Sequence, residues 1–272
     1  IEELESAPFD AAIVPASGVG ASNAAIVHDE PAMAFFLLHR TLAEAGAYPT
    51  LESRRGERVR VASSAVVHDA TVIGNDVRIG DHVVVMPNSV LEDGVQVQAG
   101  TVIGEPGFQV ADDATGRYLV PHVGGVHLRA GVAIGANCAI DRALFSTFTT
   151  LGRDTMLDNL VHVAHDVTIG DRCTLTASVE LSGSVVLEDD VWLAPRTCCN
   201  QFIRFGRGAY TGTGSVVVRD VPAFTLVAGS PAREFGRVCL CRAKLSTDLG
   251  SVECEDCGRR YVIDRDGVAE AA

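Results

Sequence analysis

Aromatic side chains are scarce in this chain: ten Phe, four Tyr and one Trp make up only 6% of its 272 residues. That argues against a thick core built on bulky rings. The 47% of hydrophobic residues come mostly from Val, Ala, Ile and Leu, a composition suited to thin stacked layers. Basic residues are also few, 22 Lys and Arg against 35 Asp and Glu, for a formal charge of −13. A nucleic-acid surface needs clustered Lys and Arg, so none is expected. No apolar run reaches the roughly 18 residues of a membrane span, and no signal-peptide pattern opens the chain, which starts at Ile1 rather than Met, as a trimmed chain does. There is also no P-loop, no usable G-x-G-x-x-G and no Ser-His-Asp order. The eight cysteines do not by themselves imply disulfides, and a reducing cytoplasm is the expected compartment.

What is present is a period of six. Leu151, Leu157, Val163, Ile169, Leu175, Leu181, Leu187, Leu193, Cys199, Phe205, Thr211 and Val217 recur without a slip, and eleven of these twelve are apolar. Neither a helix, with period 3.6, nor an isolated strand, with period 2, produces this spacing. A short strand followed by a turn does, when three such units close one triangular coil of a parallel β-helix. Turns such as Ile169-Gly170-Asp171 carry the Gly, Asp and Asn that corners demand. An earlier series runs Val67, Ile73, Ile79, Val85, Leu91, Val97, Ile103. Residues 105–126 then interrupt it and read as a loop thrown out from one corner. The period resumes at Leu128, Ile134 and Ile140, skips by five residues through Leu144-Phe145-Ser146, and continues from Leu151. Insertions at fixed corners of a solenoid commonly build its binding face.

The flanks differ from the repeat. Residues 1–60 read as a small α/β domain that binds substrate or caps the open first coil. Its expected elements are strands at Ala11–Pro15 and Ala25–Val27 and a helix Ala32–Glu44 opened by Pro31 and followed by Gly46, with Ser53–Glu57 as a charged linker. Residues 61–230 form the β-helix domain, and 231–272 a tail containing Cys239-x-Cys241 and Cys254-x-x-Cys257-Gly258. Two close thiol pairs across a hairpin-like segment suit a closed, structural, zinc-ribbon-like site, with free or oxidisable thiols as the alternative. Cys138, Cys173, Cys198 and Cys199 fall inside the repeat, where small thiols pack well.

The densest polar cluster of the repeat is Asp158-Asn159-Leu160-Val161-His162-Val163-Ala164-His165-Asp166. With Val163 inward, His162 points outward and His165 falls at the corner. A histidine beside a carboxylate is a candidate general base, although an outward histidine on a solenoid is more often plain surface. Cys198 and Cys199 are consecutive, so one faces in and one out, and no base stands nearby in sequence to activate either.

Several motifs together resemble one family. Ile103-Gly104, Gly107-Phe108, Arg117-Tyr118, Ile134-Gly135-Ala136-Asn137, Ile140-Asp141-Arg142, Asp158-Asn159-Leu160-Val161 and Ala164-His165-Asp166-Val167-x-Ile169-Gly170 stand in the order seen in the UDP-3-O-acylglucosamine N-acyltransferases of lipid A synthesis. The resemblance covers roughly residues 60–230. It implies a left-handed β-helix, a homotrimer with active sites between neighbouring subunits, His165 as general base and Gly183 as oxyanion donor. It further implies that Asp158 or Asp166 orients the imidazole, and that Asn159, His162, Phe108, Asp141 and Arg142 contact substrate. The implied donor is an acyl thioester of coenzyme A or acyl carrier protein, and the acceptor is an amine of a nucleotide-linked amino sugar. Three departures stand out. Phe202 takes the place of a second family histidine, Ala32 that of an aromatic in the family's nucleotide-binding domain, and the cysteine tail replaces C-terminal helices. That tail is similar to the ending of some CoA-dependent acetyltransferases acting on nucleotide-linked amino sugars. Sugar O-acetylation with acetyl-CoA and a non-catalytic trimeric scaffold are the competing readings. Val161 and Val185 are expected to face outward and to be covered in the trimer.

Overall fold

The computed structural model describes residues 12–14, 25–113, 116–264 and 267–271. It divides into two compact units, one of residues 1–49 with 108–123 and the other of 50–107 with 124–272.

In the first unit the strands Ala12–Val14 and Ala25–Val27 pair in parallel, and a helix runs from Pro31 to Glu44. Pro31 suits the first turn, where its missing N–H has no intrahelical partner to lose. His39 is buried in this unit, with Nδ1 2.6 Å from the Tyr48 hydroxyl and Nε2 2.8 Å from the Pro121 carbonyl. Residues 105–126 are not one continuous loop. Val110–Asp113 and Gly116–Leu119 form an antiparallel hairpin in this unit, and Gly125–Leu128 is already a strand of the coils.

The second unit is a left-handed parallel β-helix of eighteen residues per regular coil. Its three sheets contain, among the described residues, eight, eleven and eight strands. The first sheet carries Ile73, Leu91, Leu128, Leu151, Ile169, Leu187 and Phe205 inward, the second Ile79, Val97, Ile134, Leu157 and Leu175, and the third Val85, Ile103, Ile140, Val163 and Leu181. All of these are buried, each stacked on its counterpart one coil away. The coils begin earlier than the apolar period indicates. Arg54–Arg55, expected in a linker, is a strand paired with Val72–Ile73. The ladder needs only backbone groups, and at the open first coil the inward position tolerates a charged side chain.

Val161 and Val185 do not face outward. They are 1% and 0% exposed within the single chain, because side chains two residues apart on a strand share a face. They form a second inward series with Val77, Val83, Val95, Val167 and Val179. The coils themselves cover both side chains, with no partner subunit required.

The tail continues the second sheet. Thr225–Gly229 pairs antiparallel with Ala232–Val238, which pairs in turn with Lys244–Leu245. A three-stranded antiparallel sheet follows, Gly250–Glu253, Arg260–Ile263 and Val268–Glu270. Its small core gathers Tyr261, Cys239, Cys254, Leu245 and Ile263 against Phe224 of the last coil. Among the described residues no helix is long and apolar enough to cross a membrane.

Candidate active site at an edge of the β-helix

Both interruptions of the sixfold period fall on the same edge, where the chain passes from the third sheet to the first. The first lies between Ile103 and Leu128, the second between Ile140 and Leu151. At the first, Gly125 lies where a Cβ would stand 1.9 Å from the Asn88 carbonyl oxygen, so only glycine lets the chain re-enter the coil there.

His165 and Gly183 occupy the same corner position of this edge one coil apart. A Cβ on Gly183 would lie 2.8 Å from Cε1 and 2.9 Å from Nε2 of His165, so the imidazole rests against bare backbone. The other ring nitrogen, Nδ1, is 2.8 Å from the Asp166 carboxylate. Of the two ring nitrogens, Nε2 is the one nearer Gly183. Asp166 is itself anchored, accepting from the Leu144 amide at 3.2 Å and donating its own N–H to Thr149 Oγ1 at 3.0 Å. Leu144 and Thr149 belong to the segment that breaks the period, which is the signal in the sequence that could have pointed to them. Among the described residues nothing accepts from the Gly183 N–H. The arrangement offers a proton acceptor and an N–H donor side by side.

The other expected residues separate. Asp158 and Asn159 lie on a different edge, between the second and third sheets. There the Asp158 carboxylate caps the Asn159 amide at 2.7 Å, and Asn159 Oδ1 accepts from the Ala136 amide at 2.7 Å. Within one chain the carboxylate on the imidazole of His165 is thus Asp166, and Asp158 is not beside it. His162 does point outward, yet it is not idle surface: Nε2 is 3.2 Å from the Asp141 carboxylate, and that hydrogen bond raises the His162 pKa above its ordinary value. Arg142 donates to the Gly104 and Pro87 carbonyls, and burial pulls its guanidinium below the usual arginine range. Phe108 belongs to the first unit and is exposed. Phe202 stands on the His165 edge one coil beyond Gly183, 71% exposed, its N–H donating to the Gly183 carbonyl at 3.1 Å.

The thiols divide into two kinds. Cys173 and Cys199 are buried in the coils, and desolvation pushes each to about 12, which leaves neither a nucleophile at neutral pH. The four sulfurs of Cys239, Cys241, Cys254 and Cys257 all lie within 4.8 Å of one another.

A family model described as bacterial transferase hexapeptide (six repeats) matches residues 70–105 and 148–183. A UDP-3-O-acylglucosamine N-acyltransferase of a Caulobacter species is 41% identical over 145 residues, covering 53% of this chain and 42% of that protein. One from Methylorubrum extorquens is 40% identical over 164 residues, 59% of this chain and 46% of that protein. The chain therefore spans less than half the length of these curated relatives. Among solved structures, a UDP-N-acetylglucosamine acyltransferase from Campylobacter jejuni superposes with a TM-score of 0.60 at 21% identity, covering 69% of this chain and 72% of that one, a likeness of fold.

Proposed function

We propose that this chain, which matches a hexapeptide-repeat transferase model in two stretches of its coils and is similar there to UDP-3-O-acylglucosamine N-acyltransferases, is an N-acyltransferase. It moves an acyl group from a thioester of coenzyme A or acyl carrier protein to the amine of a nucleotide-linked amino sugar. The observation that carries this reading is the imidazole of His165, held by Asp166 and lying against Gly183 one coil later.

The amine attacks the thioester carbonyl, forming the new N–C bond. His165 Nε2 takes the amine proton, and the Gly183 N–H donates to the oxyanion. Collapse restores the carbonyl and breaks the C–S bond, and the departing thiolate leaves as thiol with the proton His165 held. Asp166 keeps the hydrogen on Nδ1, so that Nε2 is the accepting atom throughout. Asn159, Asp141, His162 and Arg142 are read as acceptor contacts. A homotrimer with sites between subunits is part of the same proposal, as is a substrate-binding or capping role for residues 1–60. Exposed Phe148 and Phe202 lie along the His165 edge and supply the apolar surface that a neighbouring subunit would cover. Any metal held by the four tail thiols takes no part in this chemistry, because a closed four-thiolate site has no open coordination position.

The test is thiol release from a panel of acyl-CoA and acyl-carrier donors with amino-sugar acceptors, the product linkage being identified by mass spectrometry. An amide product supports the reading, and an ester converts it to O-acylation. Absence of thioester cleavage with every donor leaves the non-catalytic trimeric scaffold, the reading that Phe202 in place of the second family histidine favours.

A further inference from the structure

Four thiols unused by acyl transfer converge in the tail, on two tight turns. Cys239 and Cys241 lie on the turn before Lys244–Leu245, closed by the Arg242 N–H donating to the Cys239 carbonyl at 2.7 Å. Cys254 and Cys257 lie on the turn before Arg260–Ile263, closed by the Gly258 N–H on the Cys254 carbonyl at 2.8 Å. Each turn has one residue of positive φ, Arg242 at 75° and Gly258 at 72°. The turns interleave their sulfurs, Cys239 to Cys257 at 3.5 Å and Cys241 to Cys254 at 3.5 Å.

Those separations discriminate between two chemistries. A disulfide needs about 2.05 Å between sulfurs. A tetrahedron with metal–sulfur arms of about 2.3 Å has edges of roughly 3.8 Å, close to what is seen. The groups around the sulfurs are also donors. Arg259 Nη1 donates to Cys257 Sγ at 3.4 Å, and the Cys241 N–H to Cys239 Sγ at 3.4 Å. The Tyr261 hydroxyl accepts from the Leu240 N–H at 3.1 Å and lies 3.1 Å from Cys239 Sγ, in position to donate to a thiolate there. Donors to sulfur are what metal-bound thiolates require from their surroundings. Hard-cation sites, by contrast, are built from oxygen, and none of the four ligands is oxygen.

We propose that Cys239, Cys241, Cys254 and Cys257 bind one zinc ion, and that the metal fixes the tail on the β-helix by holding Arg242 over the indole of Trp192. Arg242 follows Cys241 directly, and its guanidinium carbon lies 3.4 Å from the centre of the Trp192 ring. Trp192 stacks in turn on Tyr210 of the next coil, at 6.2 Å and an interplanar angle of 4°. A guanidinium over an indole face is attracted by the ring quadrupole, but an exposed pair of this kind is weak unless the backbone presenting the cation is rigid. The metal supplies that rigidity, since two of its ligands flank Leu240 and the second immediately precedes Arg242.

Trp192 is the only tryptophan in the chain, so its fluorescence reports this contact without a label. In full-length protein purified under reducing conditions, elemental analysis is expected to return about one zinc per chain. Cobalt exchanged into the site is expected to give the visible absorption of a tetrahedral four-thiolate centre. Chelation should red-shift Trp192 emission and added zinc should reverse the shift. Cys254→Ser should bind no zinc and show the shifted emission from the outset. Arg242→Ala should keep its zinc and show the same shift, which separates the clamp from the metal. Protein that contains no zinc and takes up neither zinc nor cobalt overturns the metal site. Protein that loses zinc with unchanged Trp192 emission overturns the clamp. None of these readouts depends on acyl transfer.

Discussion

Two edges of the β-helix solve the same corner differently. On the edge from the first sheet to the second, four corner amides are each capped by a side chain from the next coil. Asn75 Oδ1 accepts from Glu57, Asp93 Oδ1 from Asn75, Asp171 Oδ1 from Arg153 and Asp189 Oδ1 from Asp171, at 2.7–2.9 Å. On the edge from the third sheet to the first, the corner holding His165 is followed one coil later by Gly183, which has no side chain to offer as a cap. Gln201, one coil further, does not cap Gly183 either. The first edge therefore ties successive coils together through side-chain caps, whereas the second leaves the Gly183 amide uncapped beside His165. A capped amide serves the ladder alone, whereas an uncapped amide beside an oriented imidazole has the geometry to donate to a carbonyl oxygen.

The largest expected effect comes from removing the feature that distinguishes the second edge. His165→Ala should leave the melting temperature and assembly nearly unchanged and reduce kcat by about 10²–10⁴. Near-native turnover would move the base elsewhere.

Gly183→Ala tests the other half of the pair. Its methyl would enter the space 2.8 Å from the His165 ring, so both the ring position and the approach to the amide change. Turnover should fall by about 10²–10³, the range for loss of one oxyanion donor, with the far-ultraviolet spectrum retained. A wild-type rate would mean that the amide is not used.

The regular edge should behave in the opposite sense. Asp189→Ala uncaps the Asp171 amide and removes a partner of Arg172, and should lower stability by about 1 kcal/mol with kcat unchanged. Chemical denaturation and the acyl-transfer assay on the same preparation check both parts. A loss of activity without a loss of stability would erase the distinction between the edges.

The smallest effect concerns His162 and Asp141, beside the His165 edge. A histidine whose folded pKa is raised contributes stability that is complete below its unfolded value, about 6.5, and is lost as pH rises through the higher folded value. Asp141→Asn should therefore lower the melting temperature most at mildly acidic pH, and the gap to wild type should close as pH increases above neutrality. A gap independent of pH would assign Asp141 a role other than pairing with protonated His162.

The period of six was sufficient to read the β-helix, since inward stacking requires an apolar residue at every sixth place and little else competes for that pattern. The helix at Pro31–Glu44 and the two thiol pairs were equally legible, because caps and close cysteine spacings are local. Other features depended on which residues the coils bring together. Thr149 and the Leu144 amide fasten Asp166 from a coil away, and Asp141 meets His162 across twenty-one positions. Arg242 meets Trp192 only because the tail folds back on the second sheet. The direction of Val161 and Val185 was in principle available from strand alternation, which puts them on the same face as the sixfold residues two places on. Choosing Asp166 over Asp158 as the partner of His165 required the coils themselves. Their triangular section sends residues six or seven places apart to different edges and brings residues eighteen places apart together.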